Sequence, residues 1–394
     1  MLDAPRHIAY CTGPAQLVYL LSALETEGVS PRDVCIVSNS EYKPNERLQP
    51  ALSNVVDALC FRQQTILATE ADTLTRCFLW RHVPRWRPRT FWYCRGAPHP
   101  HSVMSLLKAL RPSRVFEYYD GFRATVTVRL AATRRMVQPR LSWLSTAERR
   151  QKRERFMTWK ALEADRYFMP RHSQWEQYAA ANVLARTTYL RKDVIWHNVE
   201  RVGRLLQKSS PETGASSPGR GPGFVLLAGL FSQRCPNVQL EDEVRLYGDI
   251  LKHVRAKAHS MPLLVKMHPR TTHEKRERLA DLCDQSGARL STDQQLVEFV
   301  IQQAQWSAAL VVGGPSTALL NVRIHELGLP LCASGEFMST YLGEGYATSG
   351  GIIREDHRLM ENAGVASLSH LDDLTVALER VAEPVAKRVA ECEP

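Results

Sequence analysis

The chain has 394 residues, 44% of them hydrophobic, a length and composition that fit two α/β domains with cores of their own. Its formal net charge of +10 suits anionic partners such as nucleotides, nucleic acids or anionic lipid headgroups. None of the nine cysteines forms a CxxC pair, the first residues lack a signal-peptide pattern, and no apolar run reaches ~18 residues. We therefore expect a cytoplasmic protein without a spanning helix, zinc site or disulfide framework.

In the first 121 residues, short apolar runs alternate with segments of helical spacing, a pattern that predicts a parallel sheet with helices on both faces. The sequence is less periodic between 145 and 207, where we predict mainly helix. The predicted elements of this half are strands at 7–13, 34–37, 90–94 and 115–119, and helices beginning at Pro14 and spanning 45–59, 69–82 and 101–110.

A stretch rich in Ser, Pro and Gly separates the halves and has the composition of a linker. We predict one Rossmann-like domain over 1–207, a linker over 208–223 and a second Rossmann-like domain over 224–394, whose last helix is a candidate to pack back on the first domain. The predicted elements of the second half are strands at 224–230, 262–267, 308–312 and 330–333, and helices at 240–258, 273–286, 293–304, 316–327 and 368–391.

A basic segment with a histidine follows the predicted strand at 262–267. Open α/β sheets bind ligands at the carboxyl ends of their strands, and histidine, lysine and arginine suit a phosphate there. The sequence thus predicts that His268, with Lys266 or Arg270, holds a phosphate beside Pro269. The structural alternative is a surface histidine next to a turn proline.

A second predicted strand ends in Gly313-Gly314-Pro315-Ser316-Thr317. Its glycines allow the backbone to approach a ligand, and its hydroxyls suit the start of a helix, whose N-terminus favours anions. An ordinary capped helix after a tight turn is the alternative. With the histidine segment in the same domain, we predict one nucleotide site.

Two further turns follow predicted strands of the first domain. Asp120-Gly121 places a carboxylate where a general base for an acceptor hydroxyl would act, although an Asp-Gly turn is also a common structural element. Thr12-Gly13 opens the first strand–helix turn, and Gln16 lies in the first turn of the predicted helix. This turn would face a ligand, or it is simply a helix cap. The sequence has no GxGxxG or Walker A pattern, and no DxD near a predicted strand end, which disfavours dinucleotide, P-loop and metal chemistry.

Together these motifs resemble bacterial sialyltransferases of the polysialyltransferase and lipooligosaccharide types. Those families combine a D/E-D/E-G motif, an HP motif and a serine-rich motif, which Tyr119-Asp120-Gly121, His268-Pro269 and Ser316-Thr317 match in order. The opening Cys11–Leu17 is also similar to their first strand–helix turn. The resemblance extends over about residues 7–330 and implies a GT-B fold with two Rossmann-like domains facing a cleft.

The resemblance also implies an inverting transfer from a CMP-sugar to a hydroxyl of a cell-surface glycan, without metal or other cofactor. Asp120 would be the base, His268 would assist departure of CMP, and Ser316 and Thr317 would hold its phosphate. Because Tyr119 replaces the first acid of the family motif, Glu117 is an alternative base.

Two arginine-rich clusters, at 81–89 and 149–155, would hold an anionic lipid-linked acceptor at the inner membrane face, or are solvated helix faces. Transfer from CMP-Kdo or CDP-glycerol is the enzyme alternative. A nucleic-acid-binding protein is the alternative from another class, although no helix-turn-helix, zinc or RNP pattern supports it.

Overall fold

A computed structural model of the chain divides into two compact units, Met1–Ser209 and Ser210–Pro394, and the division falls inside the predicted linker. The structure describes residues 5–11, 13–39, 48–66, 88–94, 107, 110–119, 163–208, 222–235, 237–268, 271–291, 296–304, 306, 309–348 and 351–390.

In the described part of the N-terminal unit, seven parallel strands form one sheet in the order β3-β2-β1-β4-β5-β6-β7. The strands are β1 (His7–Tyr10), β2 (Val34–Asn39), β3 (Arg62–Ile66), β4 (Thr90–Tyr93), β5 (Arg114–Tyr118), β6 (Arg166–Pro170) and β7 (Thr187–Leu190). The described helices are α1 (Pro14–Thr26), α2 (Leu48–Ala58), α3 (Ser173–Tyr178), α4 (Ala181–Leu184) and α5 (Lys192–Lys208), with a 3-10 turn at Pro31–Asp33.

The described residues of the C-terminal unit form a six-stranded parallel sheet in the order β10-β9-β8-β11-β12-β13. Its strands are β8 (Gly223–Leu227), β9 (Leu263–Lys266), β10 (Arg289–Ser291), β11 (Ala309–Gly313), β12 (Leu329–Ala333) and β13 (Ala366–Leu368). Its helices are α6 (Phe231–Arg234), α7 (Leu240–Lys257), α8 (His273–Ser286), α9 (Val297–Ala304), α10 (Thr317–Ile324), α11 (Gly335–Thr348), α12 (Gly351–Asn362) and α13 (Asp372–Ala390).

Both sheets have the 3-2-1-4-5-6 strand order of the doubly wound fold, so the prediction of two Rossmann-like domains is confirmed. In each sheet the order in which successive strands are added reverses beside the first strand, between β1 and β4 in one unit and between β8 and β11 in the other. Such a switch point leaves a crevice at the carboxyl ends of these two strands. The strand order alone therefore indicates where a ligand would bind in each unit.

The central strands are buried along their whole length and mostly apolar, as expected for a parallel sheet with helices on both faces. Every residue of β4, β8, β9 and β11 is buried. Local signals agree with this pattern: Pro14 occupies the first turn of α1, and Gly287 ends α8 in the left-handed conformation with φ of 63°. The apolar runs and the helix-end residues together explain why the main strands and helices could be predicted from the sequence.

The prediction of mainly helix over 145–207 is wrong in part, because β6 precedes α3 and β7 lies between α4 and α5. These strands have only five and four residues, too few to establish a period. Strands β3, β10 and β13 and helices α11 and α12 were also missed. The predicted helix 69–82 and most of 101–110 lie outside the described residues.

The last helix, α13, packs through Leu374, Leu378 and Val381 into the core of its own unit. In the part of the chain that the structure describes, no helix combines the length and apolar character needed to cross a membrane.

Candidate functional site

The candidate donor site lies at the switch point of the C-terminal sheet. Register pairs Lys266 of β9 with Leu227 of β8, Leu227 with Gly313 of β11, and Gly313 with Cys332 of β12. Adjacent strands lie about 4.8 Å apart, so the ends of β9 and β11 are separated by roughly 10 Å. The histidine segment and the glycine segment therefore flank the end of β8 at a spacing that suits one nucleotide.

His268 lies two residues beyond the end of β9 and is half-buried. Its carbonyl oxygen accepts hydrogen bonds from both the backbone N–H of Thr271, at 3.0 Å, and the Thr271 hydroxyl, at 2.7 Å. Thr271 is itself buried, so these bonds fix the backbone from which the imidazole projects. Pro269 and Arg270, the other members of the predicted segment, lie outside the described residues.

Lys266 behaves differently from the prediction that it holds a phosphate. Its side chain is only 7% exposed, and Nζ donates to the carbonyl oxygen of Met267 at 2.7 Å. Burial raises the pKa of Glu298, an effect opposed by a hydrogen bond from Asn321 and by the positive charge of Lys266. The ammonium group thus lies inside the unit, close enough to act on Glu298, and this burial argues against direct contact with a phosphate.

The N-terminus of α10 follows β11. Ser316 is the N-cap, and its hydroxyl oxygen accepts from the backbone N–H of Leu319 at 3.3 Å. Thr317 is the first helical residue, and Pro315, Ser316 and Thr317 are all half-buried. Both predicted hydroxyl residues therefore lie at a helix start that faces the switch point, where the helix dipole favours an anion.

The glycines before this helix have a packing role that the sequence did not reveal. A Cβ on Gly313 would lie 2.9 Å from the Cβ of Leu227, and one on Gly314 would lie 2.5 Å from Cζ of Phe231. A Cβ on Gly229, after β8, would likewise lie 2.6 Å from Cε2 of Phe231. The ring of Phe231 thus lies across the loops that follow β8 and β11.

The ring of Phe231 contacts a further cluster of side chains from α11 and α12. Phe231 and Tyr346 meet edge to face with ring centroids 5.7 Å apart, and the Tyr346 hydroxyl lies 2.8 Å from Nε2 of His357. Nδ1 of His357 lies 3.8 Å from Sγ of Cys332, at the end of β12. Burial lowers the pKa of His357 to about 4, so this imidazole is neutral at neutral pH. This cluster was not predicted, because the sequence between 334 and 367 indicated no helix or strand.

At the switch point of the N-terminal unit, Gly13 is the N-cap of α1. Its φ of −159° is extended backbone that any residue adopts, and a Cβ there would meet no atom of the described residues within 4 Å. The described part of the fold thus does not require glycine at this position and leaves open space over it. Gln16, in the first turn of α1, is half-buried, whereas Thr12 lies outside the described residues.

The two acids considered as the base differ in what the structure describes. Glu117, in β5, is fully buried and accepts a hydrogen bond of 2.8 Å from the hydroxyl of Tyr93. Asp120 and Gly121 lie outside the described residues, directly after Tyr119. A carboxylate with no exposed surface cannot touch an acceptor hydroxyl without rearrangement, so the geometry disfavours Glu117.

A histidine that the sequence analysis passed over lies at the carboxyl end of β6. Nδ1 of His172 accepts from the backbone N–H of Trp175 at 3.3 Å, and the ring lies 6.0 Å from that of Tyr119. Within the described residues, the buried Nε2 has no hydrogen-bond partner. Burial lowers the pKa of His172 to about 4, with Glu176 opposing the shift. The run Tyr167–Met169 before it is the strand signal that would have drawn attention to this histidine.

The predicted basic clusters at 81–89 and 149–155 lie outside the described residues, except for residues 88 and 89. Among the residues that the structure describes, no group of three His, Cys, Asp or Glu side chains is arranged to hold a metal ion.

A comparison with known protein families shows which family part of the chain resembles. Residues 225–324, about a quarter of the chain, match the family model described as alpha-2,8-polysialyltransferase (POLYST). That segment contains most of β8, all of β9 and β11, the whole of α10, and thus both His268 and Ser316. The chain is a glycosyltransferase, and this segment resembles the polysialyltransferase family. The resemblance predicted from the motifs is confirmed, and a search of curated proteins found no relative at the sequence level.

Solved structures of low sequence identity share the fold of this glycosyltransferase. The UDP-GlcNAc 2-epimerase of Methanocaldococcus jannaschii, solved with UDP-GlcNAc and UDP, is 12% identical with a TM-score of 0.50, covering 95% of this chain and 92% of that one. The GT-B domain of a Photobacterium damselae sialyltransferase is 10% identical with a TM-score of 0.47, covering 87% and 97%. The epimerase likeness shows the two-domain GT-B fold alone.

Proposed function

We propose that this glycosyltransferase moves sialic acid from CMP-sialic acid to a hydroxyl of a cell-surface glycan, with inversion and without a metal ion. The observation that carries the proposal is the arrangement around β8, where His268 follows one neighbouring strand and Ser316 follows the other. Both residues lie in the segment that matches the polysialyltransferase family.

On the donor side, the leaving group is a nucleoside monophosphate, whose phosphate gains negative charge as the glycosidic bond breaks. The N-terminus of α10 and the hydroxyl groups of Ser316 and Thr317 would bind that phosphate. His268, held by Thr271, would neutralise the developing charge or donate a proton to the phosphate oxygen. Such stabilisation is the main contribution that an enzyme must make when the donor already carries a good leaving group.

On the acceptor side, we propose Asp120 as the general base. It would take the proton of the acceptor hydroxyl as the oxygen attacks the anomeric carbon, so that CMP departs from the opposite face and the configuration inverts. The burial of Glu117 against Tyr93 supports Asp120 over the alternative acid. Gly13 and Gln16, at the switch point of the same unit, would contact the substrate over the open space above Gly13.

The acceptor would be a lipooligosaccharide or capsule precursor. The formal charge of +10 supports peripheral attachment to an anionic inner-membrane surface, through the arginine-rich clusters at 81–89 and 149–155. We further propose that the reaction needs no cofactor beyond the CMP-sugar donor.

A panel of donors tests the proposal. The purified protein is incubated with CMP-sialic acid, CMP-Kdo, CDP-glycerol and UDP-GlcNAc, and nucleotide release is measured with and without EDTA. We expect release of CMP from CMP-sialic acid, unaffected by EDTA. Release from CMP-Kdo or CDP-glycerol alone would identify the alternative transferases, and release of UDP from UDP-GlcNAc alone would indicate a transferase that uses UDP-sugars.

Retention of random DNA at physiological salt, with no binding of CMP, would instead support the nucleic-acid alternative.

A further inference from the structure

A buried ion pair joins α7 and α8 beneath the candidate donor site. The side chains of Glu243 and Lys275 are both fully buried, and Nζ of Lys275 donates to Oε1 of Glu243 and, at 2.7 Å, to the carbonyl oxygen of Gly229. Removing two charges from water is expensive, and an apolar pair of similar size is often equally stable. The fold alone thus gives little reason for this pair.

The partners of Glu243 show what the pair holds in place. Oε1 also accepts from the hydroxyl of Tyr247 at 2.7 Å and from the backbone N–H of Phe231 at 3.3 Å. Oε2 accepts from the backbone N–H of Ser232 at 2.9 Å and from its hydroxyl at 2.6 Å. The Tyr247 oxygen in turn accepts from the backbone N–H of Gly229 at 2.7 Å. One buried network therefore binds the polar backbone groups of the loop after β8.

This loop, defined here as Gly229–Ser232 and including the first two residues of α6, lies between the two elements assigned to the donor. It follows β8, whose neighbours are β9, leading to His268, and β11, leading to Gly314. Lys275 lies in the first turn of α8, the helix that follows the histidine segment. The network thus links the loop at the switch point to the helix that begins just after His268.

We propose that Glu243 and Lys275 are positioning residues for the nucleotide of the donor. They fix the Gly229–Ser232 loop and the start of α8 relative to one another, so that the loop and the histidine segment contact the same nucleotide. The inference rests on the proposed function and assigns to it two residues that touch no substrate. Loss of the pair should raise the Kd for the nucleotide by more than a loss of stability alone would explain.

The test removes both charges together and compares binding with stability. Glu243→Gln combined with Lys275→Met keeps similar side-chain sizes, but it leaves the carbonyl oxygen of Gly229 without its ammonium donor and replaces one acceptor oxygen of Glu243 by a donor NH2 group. We expect a lower unfolding temperature, because each buried hydrogen-bonding group that loses its partner costs about 1–3 kcal/mol. The Kd for CMP and the KM for the donor should rise by about tenfold, roughly the effect of one lost hydrogen bond, while the KM for the acceptor stays unchanged.

A matched control exists at the other end of the same two helices. The guanidinium group of Arg255, in α7, donates to the carbonyl oxygens of Ser286 at 3.3 Å and Gly287 at 2.9 Å, after the end of α8, and to those of His259 at 2.6 Å and Met261 at 3.2 Å. Arg255→Met should lower the unfolding temperature while leaving the Kd for CMP unchanged. Comparison of the two variants separates a general loss of stability from a loss of positioning.

Tyr247→Phe is a milder second variant, because it removes only the hydroxyl that bridges Glu243 and Gly229. It should raise the Kd for CMP by a few fold even if the double variant fails to fold. Wild-type affinity for CMP in a folded double variant, or in Tyr247→Phe, would overturn the inference and leave the proposed function intact. If the wild-type protein binds no CMP, the proposed function fails and the inference fails with it.

Discussion

Phe231 occupies the space that a side chain on Gly314 would need, since a Cβ there would lie 2.5 Å from Cζ of the ring. The ring also meets Tyr346 edge to face, at 5.7 Å between centroids, so it is held from two sides. The loop after β8 and the turn before α10 therefore have interdependent positions. A substitution that displaces one of these two segments should therefore be compensated by a suitable substitution in the other.

Gly314→Ala should displace Phe231 and disturb the donor site. Overpacking of this kind costs about 1–3 kcal/mol, and the donor KM should rise because the ring belongs to the loop after β8. Phe231→Leu in the same protein removes the clash and should restore most of the unfolding temperature and the donor KM. If the double variant is no better than Gly314→Ala alone, the contact does not determine the geometry of this site.

His268→Ala should reduce sialyl transfer by about 10² or more, the range expected for loss of an acid that assists departure of a leaving group. The unfolding temperature should not change, because the hydrogen bonds from Thr271 reach the backbone carbonyl of His268 and not its ring. Initial rates at saturating donor, together with thermal melts, check both statements. His259→Ala, at an exposed histidine of the same unit, is the control. Wild-type turnover in His268→Ala would refute the assigned role.

The base assignment is tested by a pair of isosteric changes. Asp120→Asn should lower kcat by about 10² or more with little effect on stability. Glu117→Gln should retain most of its activity, because Glu117 is buried and an amide oxygen can still accept from Tyr93. Single-turnover rates and melting curves of both variants decide the matter. Loss of turnover in a stably folded Glu117→Gln, with activity kept in Asp120→Asn, would move the base to Glu117.

The fold was largely predictable because helices cover both faces of each sheet, so that central strands such as Phe224–Leu227 and Leu263–Val265 are continuous apolar runs. Short edge strands carry no such signal: β10, with the sequence Arg-Leu-Ser, is defined only by its pairing with β9. Their existence depends on the neighbouring strand and not on their own composition.

Part of the candidate site was predictable for a related reason. His268 and Ser316 follow strong strand signals in one domain, and parallel strands end at one edge of a sheet. Contacts between residues distant in sequence were not predictable. The sequence does not show that Phe231 covers Gly314, that Lys266 is turned inward, or that Glu243 meets Lys275. Each of these depends on how helices and loops pack around the sheet.

Stability should fall as the pH drops from 6.5 towards 4, because two histidines are neutral and buried in the folded protein. The pKa of His172 and of His357 is lowered to about 4, in both cases chiefly by burial. In the unfolded chain each would titrate near its ordinary pKa of about 6.5. Above that pH both histidines are neutral in the folded and in the unfolded protein, so they do not lower the free energy of unfolding. Between pH 6.5 and 4 only the unfolded state takes up the proton, which costs roughly 1–2 kcal/mol for each histidine by pH 5.

Urea unfolding between pH 8 and 5 measures this loss. His172→Asn keeps an acceptor for the backbone N–H of Trp175, and His357→Gln keeps a partner for the Tyr346 hydroxyl, so both variants should fold. Each should reduce the dependence of the unfolding free energy on pH, and the double variant should reduce it further, because the group that takes up a proton on unfolding is gone. His259→Gln, at an exposed position, should behave as the wild type. Equal slopes for the wild type and the double variant would show that these histidines are protonated as easily in the folded protein as in the unfolded chain.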